Sequence, residues 1–209
     1  MRYWIIFFCL VFTEIFIAGH LKLSVFDELE PIYDDMYIIK EDTVIELDCP
    51  KNSIAAFHIV LKNLSNNNII QIQEETSGLS MDFNLFRLLH VPVEENTGLD
   101  SRTEQWDKKR NPYMIRRAPF RIYDVLSPVQ VPFLSSNDTE VFRLQWQIKE
   151  ETEAAEYIKK IKIRTLGEVR TIQVVIRVYD VSVPVLSEKS YGYTNWFNIN
   201  NIAKYHSLE

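Results

Sequence analysis

Cysteine and glycine are scarce in this chain, and their scarcity excludes several classes of protein. The two cysteines among 209 residues are Cys9 and Cys49, so a framework of several disulfides, of the kind that staples small exported domains, is excluded. The five glycines form neither of the spacings that let a backbone cradle phosphate, which removes the common nucleotide-binding loops. Positive charge is also short: 23 Lys and Arg stand against 29 Asp and Glu, a net charge of −6. A nucleic-acid backbone needs clustered cations, so no nucleic-acid partner is expected. The basic run Lys108-Lys109-Arg110 with Arg116-Arg117 is flanked by Glu104, Asp107 and Asp124 and reads as a solvated loop. No repeat or low-complexity tract occurs, the four histidines are too dispersed for a metal spacing, and no cofactor or metal is expected.

One long apolar run is present, at the start. Met1-Arg2 followed by the run from Tyr3 to Phe12 has one positive charge and then a short apolar stretch, the shape of a signal peptide over residues 1–19. Glu14 interrupts it and Ile17-Ala18-Gly19 is a weak exit, so an N-terminal membrane anchor is the alternative to cleavage. The expectation is a secreted, cell-surface or periplasmic protein with no stable membrane span once the leader is removed. Cys49, beside Pro50 between two apolar runs, is then the remaining cysteine and reads as a buried small hydrophobe.

From residue 20 to about 190 the chain alternates apolar and polar residues in short runs: Leu21 to Phe26, Thr43 to Asp48, Ala55 to Lys62, Ile69 to Gln73 and Phe83 to Val93. Period two places successive side chains on opposite faces of a strand. The pattern is clearest in Val141 to Ile148, where Phe142, Leu144, Trp146 and Ile148 point one way and Arg143, Gln145 and Gln147 the other. Ile172, Val174, Ile176 and Val178 repeat it, and Leu166-Gly167 stands where a hairpin turn would join them to the Tyr157 to Arg164 run. The predicted fold is all-β: a two-layer antiparallel sandwich, Ig-like or jelly-roll-like, filling residues 20–190. Glu94 to Pro119 is polar and reads as a long surface excursion.

The last segment changes period. Ile199, Ile202, Ala203 and His206 recur at i, i+3, i+4 and i+7 behind a candidate N-cap, Asn198. A helix of two turns is marginal alone. Residues 191–209 are therefore expected to begin a further domain, with Trp196, Phe197, Ile199 and Ile202 at the interface between the two.

Several residues invite a functional reading. The acidic cluster Asp27, Glu28, Glu30, Asp34 and Asp35 lies in a polar linker, where a raised carboxyl pKa is not expected, so a solvated turn is the default. His58 and His90 alternate with apolar neighbours and read as partly buried strand residues with one satisfied nitrogen. Trp146 reads as core. Trp106, polar on both sides and close to Tyr113, is the candidate for carbohydrate contact, since flat rings stack on the apolar faces of sugars; packing of the loop onto its own sandwich or onto the following domain is the commoner use of such a ring. No catalytic residue is assigned.

Three pieces stand in order along the chain: Asp27-Glu28-Leu29-Glu30-Pro31 with Cys49 to Leu61; Tyr123-Asp124-Val125-Leu126-Ser127-Pro128; and Ala155-Glu156-Tyr157 with Thr194 to His206. Together they resemble the N-terminal region of the family-123 glycoside hydrolases, with Ser53 and His58 in place of the usual Glu and Gln, one Pro missing from the second piece, and Asn198 and Asn200 in place of a His and an Asp. The resemblance implies a sandwich followed by a (β/α)₈ barrel that cleaves β-linked N-acetylgalactosamine with the substrate's acetamido group as nucleophile, oriented by an adjacent Asp-Glu pair of the barrel. Nothing in these residues matches that pair. The expected role is a non-catalytic domain whose partner is the catalytic barrel of the same protein. The alternatives are an independent cell-surface carbohydrate-binding or adhesion module, with a glycan as partner, and a structural spacer.

Overall fold

The computed structural model describes residues 21–36, 43–64, 68–75, 81–96, 114–135 and 137–184. All regular structure in these residues is strand: β1 (Lys22–Asp27), β2 (Ile32–Tyr33), β3 (Val44–Lys51), β4 (Ser53–Lys62), β5 (Ile69–Glu75), β6 (Asp82–Val93), β7 (Phe120–Pro128), β8 (Phe133–Leu134), β9 (Glu140–Ile148), β10 (Glu156–Thr165) and β11 (Glu168–Ser182). They form a six-stranded sheet in the order β1-β4-β9-β6-β7-β2 and a five-stranded sheet in the order β3-β11-β10-β5-β8. The predicted sandwich is borne out.

The period-two runs fill the space between the sheets. Phe142, Leu144, Trp146 and Ile148 of β9 meet Ile172, Val174, Ile176 and Val178 of β11 in one core, with Phe57, Ile59 and Leu61 of β4 beside them. Trp146 stacks on Phe57 at 6.1 Å between ring centres and tilts against Phe83 at 5.3 Å. Burying a ring system of that size contributes about 5 kcal/mol at roughly 25 cal/mol per Å².

The purely antiparallel expectation needs one correction, because β3 runs parallel to β11, from Val44 opposite Gln173 to Lys51 opposite Ser182. Parallel neighbours need a long connection, and over a hundred residues separate these two strands in the chain. Immediately after β3 the chain passes from one sheet to the other through the single residue Asn52, at φ 55°. Asparagine tolerates that left-handed conformation, and its Nδ2 donates to the Val183 carbonyl at 2.7 Å.

A smaller apolar cluster lies on the outer face of the six-stranded sheet. Phe26, Val60, Val141 and Leu88 pack there under Ile32, with Met36 and Tyr123 at the margin. After β1 the chain crosses this face and adds β2 to β7, Ile32 opposite Tyr123. The crossing residues Asp27 to Met36 form a strap. Glu28 pairs with Arg143 at 2.7 Å, Asp35 with Arg116, and Lys62 Nζ donates to the Met36 carbonyl.

Two expectations about loops are refined. Leu166-Gly167 is the two-residue turn of the β10–β11 hairpin, with Thr165 opposite Glu168. Glu94 to Pro119 joins neighbouring strands, β6 and β7, so it is the loop of a wide hairpin. Phe120 to Pro128, which carries no clean alternation, is a strand. Asn96 pins the base of that loop, donating from Nδ2 to the Arg116 carbonyl at 3.0 Å and accepting from the Ala118 amide at 2.8 Å.

Candidate functional site

The register of β6 creates the candidate site. Its pairing with β9 stops at Leu88 opposite Val141, while its pairing with β7 continues to Val93 opposite Phe120. One edge of β6 is therefore unpaired beyond Leu88. A bulge at Asp124 of β7, opposite the Leu89–His90 step of β6, twists the pair further at this point. The resulting notch, closed by Asp34 of the strap and by Asn137 and Thr139 ahead of β9, is a cleft of about 530 Å³.

Its floor is the ion pair between Arg87 and Glu140. Arg87 donates from Nε to Glu140 Oε2 at 2.7 Å and from Nη2 to Oε1 at 3.0 Å. Ser135 Oγ and Asn137 Nδ2 donate to the same Oε1 at 3.0 and 3.3 Å. The Glu140 side chain is 2% exposed, so this is a buried carboxylate whose charge is neutralised and whose two oxygens are both occupied. The Arg87 guanidinium also lies 4.9 Å from the centre of the Phe133 ring. Such a carboxylate holds loop and strand together, and it is unsuited to act as nucleophile or general acid.

The cleft wall differs from the floor. Asp34, Tyr123, Thr139 and His90 present a carboxylate, two hydroxyls and an imidazole that make no hydrogen bond within the described residues. The His90 and Tyr123 rings meet edge to face at 5.8 Å. Burial pushes the Tyr123 phenol above its usual range, and the Asp34 and Glu140 carboxylates act in the same direction against Arg87 and Arg121. This phenol stays protonated at neutral pH and can donate a hydrogen bond. Aromatic surface beside mixed neutral and acidic hydrogen-bonding groups suits an uncharged polar ligand.

The residues singled out in the sequence fare unequally. Trp106, Tyr113, Trp196, Phe197, Ile199 and Ile202 lie outside the described residues, as do the leader and the C-terminal helix start. Trp146 and Cys49 are buried in the core, as expected. Burial, reinforced by Asp48, raises the Cys49 thiol to about 11, so it is inert at neutral pH. His58 is buried with Nδ1 unpartnered, and His90 is exposed at the cleft, so neither is a partly buried ring with one satisfied nitrogen. Of the acidic cluster, only Asp34 reaches the cleft; Glu28 and Asp35 are anchors of the strap. No group of three or more His, Cys, Asp or Glu among the described residues is placed to hold a metal ion. Sequence reasoning missed Arg87, Tyr123 and Glu140 as site residues. The only local sign was Glu140 standing just ahead of an apolar strand.

A strand-built module with a polar cleft and a locked carboxylate at its floor is the class that the described residues define. No family model matches the chain, and no curated protein matches its sequence. Among solved structures, the chain is similar to a family 123 glycoside hydrolase from Clostridium perfringens, described for glycolipid glycan hydrolysis, with 13% identity and a TM-score of 0.53. The match covers 79% of this chain and 28% of that enzyme, so the chain spans under a third of its length. The likeness is one of fold. AvmM, which catalyses macrocyclisation in alchivemycin A biosynthesis, matches at 9% identity and a TM-score of 0.32 over 80% of this chain and 92% of its own. A GH20 exo-β-N-acetylglucosaminidase from Vibrio harveyi matches at 9% and 0.17 over 81% and 19%. Neither of these two carries weight.

Proposed function

We propose that this chain is an exported, non-catalytic β-sandwich domain of a glycoside hydrolase-like protein and that it supports a catalytic barrel of the same protein. The observation that carries this reading is the fold likeness to a family 123 glycoside hydrolase, which takes in 79% of this chain but only 28% of the enzyme. The locked state of Glu140 agrees with it, because general acid-base hydrolysis needs a carboxyl free to exchange a proton. Trp196, Phe197, Ile199 and Ile202 are the residues assigned to the contact with the barrel.

Two measurements test the proposal. The purified chain is expected to give no turnover of aryl β-N-acetylgalactosaminides, and turnover abolished by Asp34→Asn or Glu140→Gln would place an active site in this domain. The reading frame continued past Glu209 is expected to encode alternating strands and helices with an adjacent Asp-Glu pair; a stop codon there overturns the reading. The second reading, an independent glycan-binding module, is favoured by the unpartnered wall of the cleft. Glycan-array binding by the chain that is lost in Asp34→Ala would support it.

A further inference from the structure

The notch beside β6 exposes backbone as well as side chains. The Asp34 amide donates to the Arg121 carbonyl at 3.4 Å, so Arg121 of β7 turns its backbone groups toward β2. Successive residues of a strand face opposite neighbours, so Ile122 turns toward β6, where it stands opposite Val91. His90 and Pro92 therefore direct their backbone groups to the other edge, which no strand among the described residues covers past Leu88. That edge offers the His90 amide and the carbonyls of His90 and Pro92. Pro92 has no N–H, and an added peptide strand would need one at every second residue, so the edge is blunted against strand addition. A smaller occupant with hydroxyl donors of its own suits it better.

The charges of the cleft narrow the chemistry further. Arg87 is the permanent cation of the lining, and it is spent on Glu140. An anionic ligand would meet the Asp34 carboxylate with no free cation in the lining to offset it. Tyr123 and Thr139 bring two hydroxyl groups that donate as well as accept, and a cationic ligand would leave their accepting and donating capacity half used. The His90 and Tyr123 rings, set at 73° to each other, add an apolar corner between these groups. A neutral sugar ring carries the complementary surface, with hydroxyl groups around its rim and C–H groups on its faces.

We propose that the cleft is a subsite for a neutral pyranose unit of a glycan, with Asp34 accepting from sugar hydroxyls, Tyr123 and Thr139 exchanging hydrogen bonds with others, and the His90 ring packing on a C–H face. The volume of about 530 Å³ lies within the range of roughly 300–1,000 Å³ usual for small-ligand sites. The Arg87–Glu140 pair, with both carboxylate oxygens occupied, gives the subsite a floor that does not rearrange when a ligand enters. This subsite rests on the glycan-binding reading and names the class of sugar unit that reading requires.

The full chain is titrated with the methyl pyranosides of glucose, galactose and mannose, with the anionic methyl glucuronide and with the cationic methyl glucosaminide, while backbone amide shifts are followed by NMR. The expected result is that a neutral hexoside shifts the His90 and Thr139 amides and binds more tightly than either charged probe. Its affinity is expected to fall by about tenfold or more in Asp34→Asn, and again in Tyr123→Phe with Thr139→Val, as the loss of hydrogen bonds in the cleft requires. These replacements conserve shape, and either variant suffices should the other fail to fold. No shift with any neutral hexoside, equal affinity in the folded variants, or tighter binding of a charged probe overturns the subsite. Glycan-array binding that survives Asp34→Asn places the glycan elsewhere, overturning the subsite and leaving the glycan-binding reading standing. A chain that shows neither hexoside shifts nor array binding overturns both.

Discussion

His58 shows how one residue on the outer face couples the fold to pH. Burial depresses its pKa below the ordinary 6.5, Arg143 depresses it further, and Glu28 and Asp27 of the strap oppose both. A depressed pKa in the folded state means that the unfolded chain binds the proton more tightly. The resulting stability is complete above the ordinary histidine value and is lost as pH falls toward the lowered one. Denaturant midpoints are therefore expected to fall between about pH 7.5 and pH 5, and the fall is expected to be shallower in His58→Gln. An equal slope in both proteins would assign the pH dependence to other groups.

At the scale of the element, the β10–β11 hairpin depends on one glycine. Gly167 adopts φ 96°, and an added Cβ would meet nothing within 4 Å. The cost of a side chain there is one of backbone conformation alone, without a steric clash. Gly167→Ala is expected to destabilise the domain by about 1–2 kcal/mol, and Gly167→Asn by less, because asparagine visits positive φ more readily. Chemical denaturation of the two variants measures the difference; equal losses would point to a cause other than backbone strain. The strap is a contrasting element. Its two-residue strand is too short to hold by pairing alone, and it is kept in place by Ile32 in the outer cluster and by ion pairs at both ends.

Across the whole molecule, the two sheets are joined by more than apolar packing. Lys159 of β10 is 2% exposed and lies 3.2 Å from Glu74 of β5, and the same Glu74 oxygen accepts from Trp146 Nε1 of β9 at 3.2 Å. One carboxylate thus ties the five-stranded sheet to the six-stranded sheet inside the sandwich. Removing one member of a buried ion pair costs about 3–5 kcal/mol, while replacing both with apolar residues is often neutral. Glu74→Leu is expected to lower stability by that amount, and Glu74→Leu with Lys159→Met to recover most of it in urea unfolding. A double variant as unstable as the single one would show that the pair holds the sheets in a way that apolar packing cannot replace.

The all-β class, the clear strands and the buried face of each were legible in the sequence, because alternation is a local property dictated by backbone geometry. The hairpin turn at Leu166-Gly167 was legible for the same reason: glycine relieves a local steric conflict. β7 was not, since its bulge breaks the period and much of the strand is exposed. The two-residue strands β2 and β8 were not either, because nothing in two residues distinguishes a strand. The parallel pairing of β3 with β11 and the cleft belong to tertiary structure. Arg87 and Glu140 stand 53 residues apart, and only the offset between two strand registers makes them the floor of one site. Local steric rules act over a few residues and can be read along the chain; partnership between distant strands depends on how the whole core closes, and it was decided there.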